Sequence, residues 1–363
     1  MEFIDLKKQY AEYKNSIDQA IAKVLNNSSY IMGPEVFELE KQLAQYVGVK
    51  HCISASSGTD TLLMALMAIG IKPGDEVITT PFTWISSSEV ISLLGAKPVF
   101  VDINPHTFNI DTDLLEAAIT TKAKAILPVC LFGQVPKMEE INEIASRYDL
   151  RVIEDAAQSF GATRHGKESC SLSDIGSTSF FPAKPFGCYG DGGALFTNDD
   201  NYAHKLRAIR THGGVERHKH EYIGINARLD TIQAAVLLAK LPHYKKELEM
   251  RQAVGMNYDE LLRNYFEVPK IEKGNTSSYA MYTIKSKKRD EIAAKLKAKG
   301  IPTGVYYPVP LYKQACFKYL EVNPVHFPET EKACNEVLSI PMHPWLTMEE
   351  QKTVANAMIE AIR

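Results

Sequence analysis

The sequence of 363 residues lacks the features typical of membrane, secreted or nucleic-acid-binding proteins. No apolar run approaches the ~20 residues that span a bilayer, and the charged start MEFIDLKKQYAEYK is unlike a secretory signal or an anchor. Lysine and arginine form no run, and the net charge of −3 offers no electrostatic footprint for nucleic acid or an anionic membrane. We therefore expect a cytoplasmic protein with neither of these partners.

Cysteine is sparse and scattered. The six cysteines form no C-x-x-C pair, which argues against a metal site and against a disulfide framework. We expect them to be buried thiols in a reducing compartment, and we predict no metal.

The first two thirds of the chain alternate short β-rich runs with helical patterns. DEVITT, KPVFVDI, AKAILPVCLFG and LRVIEDAA read as strands, and the segments between them read as helices. In KMEEINEIASRYD, for example, Ile141, Ile144, Ala145 and Tyr148 form one apolar stripe. This alternation predicts an α/β fold with a mostly parallel sheet between helices, whose ligands bind beyond the carboxyl ends of the strands.

The pattern changes after about Arg251. TSSYAMYTIKS reads as a half-buried strand, RDEIAAKLKAKG as a surface helix closed by Gly300, and MEEQKTVANAMIEAI as a final amphipathic helix. We expect a large domain over residues 1–250 and a smaller α+β domain over residues 251–363. The helical segment LDTIQAAVLLAKLPHYKKELEMRQAV would bridge the two domains.

A lysine with unusual neighbours, Lys184, lies between an apolar run and the glycine-rich segment GCYGDGG, with a proline on either side. In an apolar pocket its pKa would fall, and the free amine would become a nucleophile for carbonyl carbons. The alternative is a lysine on a solvated loop. The glycines lack the G-x-G-x-x-G spacing and lead into a strand rather than a helix, which argues against a dinucleotide loop.

Two further segments carry groups suited to binding anions. Gly58 and Thr59 begin a predicted helix, whose free N–H groups attract anions, although Asp60 could be there only as a helix cap. Asn226 and Arg228 precede a long apolar helix. Arginine pairs with carboxylate or phosphate, and the alternative is a surface salt bridge.

Two adjacent carboxylates, Glu154 and Asp155, follow an apolar strand. A carboxylate at this edge lies where ligands bind, and an inward-pointing one needs a cationic partner to offset its desolvation. The alternative is a solvated turn or a helix cap.

In chain order these motifs resemble the DegT/DnrJ/EryC1/StrS family, the pyridoxal-phosphate sugar aminotransferases with the aspartate aminotransferase-like (type I) fold. The resemblance rests on SSGT, PFTW, EDAAQ, a lysine followed by GDGG, and N-x-R-L-D, and it extends from FIDLKKQYAEYK to LSIPMHPWLT. It implies a large domain with a mostly parallel sheet between helices and a smaller α+β C-terminal domain.

The resemblance also implies a role for each matching position. Lys184 matches the lysine that forms the internal aldimine with pyridoxal 5′-phosphate and then moves the proton, and Asp155 matches the acid that pairs with the pyridine nitrogen. Family dehydratases carry histidine in place of that lysine, so Lys184 favours transamination. The remaining implied cofactor contacts are Trp84 on the ring face, Gln158 near the phenolic oxygen, Gly58, Thr59 and Ser179 at the phosphate, and Asn226 from the neighbouring subunit of a homodimer.

The same resemblance suggests the substrates. The run SFFPAKPFGCYGDGGALFTNDD together with FIDLKKQY is most similar to enzymes that aminate UDP-2-acetamido-2-deoxy-3-keto-glucuronate for bacterial surface polysaccharide, with L-glutamate as donor. Arg228 is the candidate partner of a glutamate or uronate carboxylate. Tyr306 stands where many relatives have histidine, before the matching Tyr307, and both lie near the sugar in relatives. This departure leaves the identity of the sugar open.

Several other functions therefore stay open. Within the family, these are a dTDP-3-keto-6-deoxyhexose 3-aminotransferase and a UDP-4-keto-6-deoxy sugar 4-aminotransferase. Outside it, they are a nucleotide-dependent oxidoreductase, which would use the glycines as a phosphate loop, and a non-catalytic regulatory protein on the same fold.

Overall fold

The computed structural model describes residues 1–363. The helices are α1 (Leu6–Asn27), α2 (Pro34–Val47), α3 (Gly58–Ile69), α4 (Ser86–Leu93), α5 (Thr112–Leu115), α6 (Met138–Arg147), α7 (Asp200–Ile209), α8 (Thr231–Leu262), α9 (Arg289–Ala298), α10 (Pro328–Glu336) and α11 (Met348–Ile362). The strands are β1 (His51–Ala55), β2 (Glu76–Thr79), β3 (Lys97–Phe100), β4 (Ala123–Ile126), β5 (Arg151–Asp155), β6 (Thr163–Arg164), β7 (Lys167–Glu168), β8 (Ile175–Ser179), β9 (Gly193–Thr197), β10 (Gly214–Glu216), β11 (Lys219–His220), β12 (Tyr282–Lys285) and β13 (Val337–Ile340).

A seven-stranded sheet in the order β1-β9-β8-β5-β4-β2-β3 forms the centre of the molecule. The pairs from β8 through β5, β4 and β2 to β3 are all parallel, and only β9 runs against its neighbours. This arrangement confirms the predicted α/β fold with a mostly parallel sheet. Gly193 at the start of β9 pairs with Ala55 on one side and with Ser179 on the other, which brings the ends of β1 and β8 close together.

An apolar core lies on each face of this sheet. Successive side chains of a strand point to opposite faces, so on β5 Val152 belongs to one core and Ile153 to the other. Burying such a side chain contributes roughly 1.5–3 kcal/mol. Helices α2 and α6 cover the Val152 face, and α3 covers the Ile153 face.

Two of the predicted strands differ from the observed ones. AKAILPVCLFG forms only the four-residue strand β4, because Pro128 has no N–H to donate to the sheet. The chain still follows β5, since the Pro128 carbonyl accepts the Asp155 N–H at 2.9 Å. TSSYAMYTIKS contributes only β12, whose four residues are all buried rather than half-buried.

Helix α8 joins the sheet to the C-terminal part of the chain. Its first turns, with Ala234 and Leu237, pack into the core on one face of the sheet. Its last turns, with Tyr258 and Leu262, pack into a separate core with β12, β13 and α11. The predicted domain boundary at residue 250 falls within this helix and stays a prediction.

No helix combines the length and the apolar character needed to cross a membrane. All six cysteines are free, and five are buried while Cys316 is exposed.

Candidate active site

The site lies where neighbouring strands end. Strand β5 ends at Asp155 and its parallel neighbour β8 ends at Ser179, with Asp155 in register with Ser177. Helix α3, which follows β1, starts against Ser179. The chain order alone does not reveal this convergence, because it depends on β9 pairing with both β1 and β8.

The start of α3 has the form of an anion cradle. The N–H groups of Gly58 and Thr59 donate to no acceptor in the chain, so both are free at the positive end of the helix dipole. A Cβ on Gly58 would lie 2.6 Å from the Cβ of Ser179. Only glycine therefore lets the Ser179 side chain come so close to these amides.

Asp60 is not the cap of this helix. Ser57 is the N-cap, and its hydroxyl accepts the Asp60 N–H at 3.0 Å. The Asp60 carboxylate accepts the hydroxyls of Ser56 and Ser57 at 2.6 and 2.8 Å and so braces the turn before the helix. The alternative reading of SSGT as a segment capped by Asp60 is therefore wrong.

Asp155 is buried, with 6% of its surface exposed. Its carboxylate accepts the Ser87 hydroxyl at 3.1 Å and the Ala157 N–H at 3.2 Å. Burial raises the pKa of Asp155, and the positive charge of Lys184 opposes that rise. The carboxylate therefore has few protein donors and one nearby cation.

Glu154 points away from the site. Its fully buried carboxylate accepts the Ser169 hydroxyl at 2.8 Å and the Cys170 N–H at 2.9 Å. Burial raises its pKa, and these donors oppose the rise. Glu154 has neither the cationic partner expected for an inward-pointing carboxylate nor the solvent contact expected for a carboxylate in a turn. Both expectations are therefore wrong for this residue, and hydrogen bonds from the segment 169–172 stabilise its carboxylate instead.

Lys184 is partly buried, and its Nζ donates no hydrogen bond within the chain. Burial lowers the pKa of this lysine, and the charge of Asp155 opposes the shift. The Lys184 N–H donates to the Phe181 carbonyl at 2.8 Å, which forms a turn at the tip of the loop. The amine is therefore partly shielded from bulk water, and none of its hydrogens is committed to an acceptor in the chain.

Gln158 and Tyr307 form a hydrogen-bonded pair beside Asp155. The Gln158 Oε1 accepts the Phe132 N–H at 2.8 Å, and its Nε2 donates to the Tyr307 hydroxyl at 3.2 Å. The Tyr307 ring lies 6.3 Å from the ring of Trp84, which is 59% exposed. Most of the Trp84 side chain is thus open for contact with a ligand or another subunit.

Tyr306 lies next to this pair, with its ring 6.0 Å from the Tyr307 ring in an edge-on arrangement. It is half-buried, and its ring lies 6.2 Å from that of Phe3 at the start of the chain.

Asn226 and Arg228 flank Ala227, whose carbonyl accepts the Ser56 N–H at 3.1 Å. Both residues therefore lie next to the turn that leads into α3. Asn226 is exposed, and the half-buried Arg228 side chain makes no ion pair or hydrogen bond. The alternative of a surface salt bridge at Arg228 is therefore wrong.

The sequence reading missed the serines at the start of α4. Ser86 hydrogen-bonds the Thr59 hydroxyl at 2.7 Å, and Ser87 bonds Asp155, so this helix connects the anion cradle to the buried carboxylate. The available signal was the polar run SSSE, which begins two residues after Trp84, since buried hydroxyls at a helix start need partners.

Comparison with known proteins places the chain among aminotransferases. The sequence pattern of the DegT/DnrJ/EryC1/StrS aminotransferase family matches residues 11–359. The chain is 51% identical over 359 residues to a UDP-2-acetamido-2-deoxy-3-oxo-D-glucuronate aminotransferase of Pseudomonas aeruginosa, covering 99% of each chain. It is 45% identical to a pleiotropic regulatory protein of Geobacillus stearothermophilus, covering 99% of this chain and 98% of that protein.

A solved structure of NtdA from Bacillus subtilis, with bound cofactor PMP, matches with a TM-score of 0.90 at 34% identity. The match covers 99% of this chain and 83% of that one.

Proposed function

We propose that this chain, which belongs to the DegT/DnrJ/EryC1/StrS aminotransferase family, transfers the amino group of L-glutamate to the keto carbon of UDP-2-acetamido-2-deoxy-3-keto-D-glucuronate. Members of the family are pyridoxal-phosphate-dependent enzymes. The observation that carries the proposal is the uncommitted Lys184 amine, close enough to the buried Asp155 for their charges to interact, on the loop that follows Ser179 at the start of α3.

The residues at the site fit pyridoxal phosphate. When bound, it supplies a ring that withdraws electrons from the carbon bearing the amino group. The N–H groups of Gly58 and Thr59 and the Ser179 hydroxyl would hold its phosphate. Asp155 would keep a proton on the pyridine nitrogen, because a buried carboxylate with few donors stabilises a nearby cation strongly.

Lys184 would both attach to the cofactor and move the proton. A lowered pKa increases the share of the neutral amine, which is the form that attacks carbonyl carbon and accepts protons. Gln158 would donate near the phenolic oxygen, and Trp84 would cover the ring face.

Arg228 would bind the substrate carboxylate. Its guanidinium has no acidic partner in the chain, so its five N–H donors are free for a carboxylate in a two-point contact. The carboxylate of glutamate and that of the uronate sugar both suit this geometry. Tyr306 and Tyr307 would lie beside the sugar.

The functional unit would be a homodimer with shared active sites. Several large apolar side chains are exposed, among them Trp84 at 59%, Phe181 at 51% and Ile223 at 88%, and contact with a second copy of the chain would cover such side chains. Asn226 of the partner subunit would then reach the phosphate. We further propose a cytoplasmic role in bacterial surface polysaccharide synthesis (O-antigen or capsule), to which the six unpaired thiols are suited.

The substrate is tested with a panel of UDP- and dTDP-linked keto sugars, with and without a C-6 carboxylate, and with glutamate as donor. We expect turnover of UDP-3-keto uronates, and we expect Arg228→Ala to reduce kcat/KM for substrates with a carboxylate by about tenfold or more, as loss of a charged hydrogen-bonding partner does. Turnover confined to dTDP-3-keto-6-deoxy or UDP-4-keto-6-deoxy sugars would overturn the uronate assignment.

The chemistry is tested with Lys184→Ala. The variant should fold normally, lose the visible absorbance that borohydride abolishes in the wild type, and retain less than about 10⁻³ of its turnover, since nothing replaces a missing nucleophile and base. The relative named as a regulatory protein makes a non-catalytic function worth testing. Spectral conversion of the wild-type cofactor by glutamate would argue against that function, and a bound nicotinamide would instead favour the oxidoreductase.

A further inference from the structure

A second buried lysine, Lys240, lies outside the groups that the proposed reaction uses. It is on α8 and only 2% exposed. Its Nζ donates to the Gln9 Oε1 at 2.7 Å and to the Gly187 carbonyl. A buried ammonium group is costly to desolvate unless its donors are satisfied, so these two contacts account for how the fold tolerates it.

One of these contacts is to the loop that carries Lys184. Gly187 lies three residues after Lys184, in a turn so tight that a Cβ there would be 2.6 Å from the carbonyl oxygens of Phe181 and Pro182. The Cys188 N–H donates to the Phe180 carbonyl at 2.7 Å and closes the turn. The Gly187 carbonyl therefore points out of a small closed loop, and the Lys240 ammonium group donates a hydrogen bond to it.

Helix α8 holds this loop at a second point. The Tyr189 N–H donates to the Gln233 Oε1 at 2.8 Å, and the Gln233 Nε2 donates to the Tyr189 carbonyl at 3.4 Å. Gln233 and Lys240 are seven residues apart, about two helical turns, and so lie on the same face of α8. The backbone on the C-terminal side of Lys184 is thus fixed at two carbonyls and one amide.

The other contact of Lys240 connects the loop to α1. Gln9 accepts from Lys240 and donates through its Nε2 to the Glu247 Oε2 at 3.1 Å. Both Gln9 and Glu247 are buried. The negative charge of Glu247 compensates the positive charge of Lys240, and the Gln9 amide lies between them. Lys240, Gln9 and Glu247 therefore form one buried hydrogen-bonded network.

We propose that Lys240 is a positioning residue that clamps the Lys184 loop against α1 and α8 and so fixes where the Lys184 amine is presented. This inference rests on the proposed function of Lys184. Lys240 touches neither substrate nor cofactor, and it acts only through the Gly187 carbonyl.

The test compares Lys240→Met/Glu247→Gln with Tyr258→Phe. The double variant removes the clamp and one buried charge of each sign, so the net buried charge around the neighbouring Arg251 is unchanged. The control removes another buried donor to a backbone carbonyl, the Tyr258 hydroxyl that bonds Pro341 at 3.1 Å in the C-terminal core. Two quantities are measured on the full-length protein freed of cofactor: amide hydrogen exchange over residues 180–190, and the rate at which added pyridoxal phosphate becomes fixed to Lys184 by borohydride.

We expect the double variant to fix the cofactor about tenfold more slowly, the scale expected for losing a charge-assisted hydrogen bond, and to exchange its loop amides faster. Tyr258→Phe should change neither quantity, even if it lowers the unfolding midpoint as much as the double variant does. Wild-type rates in the folded double variant, or equal slowing in the control, would overturn the proposal. If the wild type itself gives no adduct at Lys184, the proposed function fails, and loop exchange alone then decides on the clamp.

Discussion

Two neighbouring carboxylates of β5 lie on opposite faces of the central sheet and accept different sets of hydrogen bonds. Glu154, on one face, is fully buried and accepts hydrogen bonds from the hydroxyl of Ser169 and the backbone of Cys170. Asp155, on the other face, is nearly as buried but accepts from Ser87 and Ala157 only. Burial raises both pKa values. A carboxylate whose acceptor sites are filled by the protein stabilises the fold, whereas one with spare acceptor capacity is available to a ligand.

The largest loss of turnover is expected from replacing Asp155, the carboxylate on the ligand-facing side of β5. Asp155→Asn removes the charge and keeps the shape, so turnover should fall by about 10²- to 10⁴-fold, the range for loss of a group that controls a proton. The unfolding midpoint should hold, because the variant no longer buries a poorly solvated charge. Steady-state kinetics measure the turnover, and thermal unfolding measures the midpoint. A turnover within threefold of wild type would contradict the expected difference between Asp155 and Glu154.

The matched change on the opposite face is Glu154→Gln. Its amide group cannot accept from every donor that now faces the carboxylate, and leaving one donor unpaired costs about 1–3 kcal/mol of unfolding free energy. Turnover should stay within about threefold of the wild type, because the side chain is on the far face of the sheet. A large loss of turnover at unchanged stability would show that the two faces are not separate.

The pH dependence of this variant sharpens the comparison. A carboxyl group whose folded pKa is raised contributes stability below its unfolded pKa of about 4.3, and that contribution is lost as pH rises through the folded pKa. The glutamine variant has no such group. Urea unfolding at about pH 5 and about pH 8 should therefore show the stability gap between wild type and variant narrowing with rising pH.

Ser87→Ala should reduce turnover less than Asp155→Asn does. The variant removes one donor from Asp155, and turnover should fall about three- to tenfold, the scale of one hydrogen bond to a charged group. Because the Ser87 hydroxyl lowers the Asp155 pKa, the acid limb of the pH–rate profile should move to higher pH. The neighbouring Ser88 is the control, since its buried hydroxyl has no partner, and Ser88→Ala should leave the profile unchanged.

Periodicity predicted much of the fold, because the signals for helices and strands are local. The helix predicted to begin at Gly58 and Thr59 is α3, and the strand predicted after the glycine-rich segment is β9. The strand AKAILPVCLFG was predicted too long, because periodicity does not register the donor that Pro128 lacks. The sequence of β12 reads as half-buried because its pattern does not show that both the adjacent α9 and the distant α11 pack on it.

The candidate site was only partly predictable, for a related reason. Lys184 and Asp155 follow apolar runs, which signals a strand end at the ligand edge of a sheet. Which of Glu154 and Asp155 faces the ligand depends on strand register, and one residue of slip would exchange them. Ser87 and Lys240 are unremarkable in sequence, because their partners lie 68 and 53 residues away.

The antiparallel strand β9 also determines when the site can form during synthesis. Strand β1 has β9 as its only partner in the sheet, and His51 pairs with Thr197. At roughly 5 to 20 residues per second, the ribosome needs roughly 7 to 30 s to make the chain between them. Until β9 has emerged, β1 is an unpaired edge and the amides of Gly58 and Thr59 have no Ser179 beside them. The anion cradle at the start of α3 is therefore incomplete until more than half of the chain has been translated.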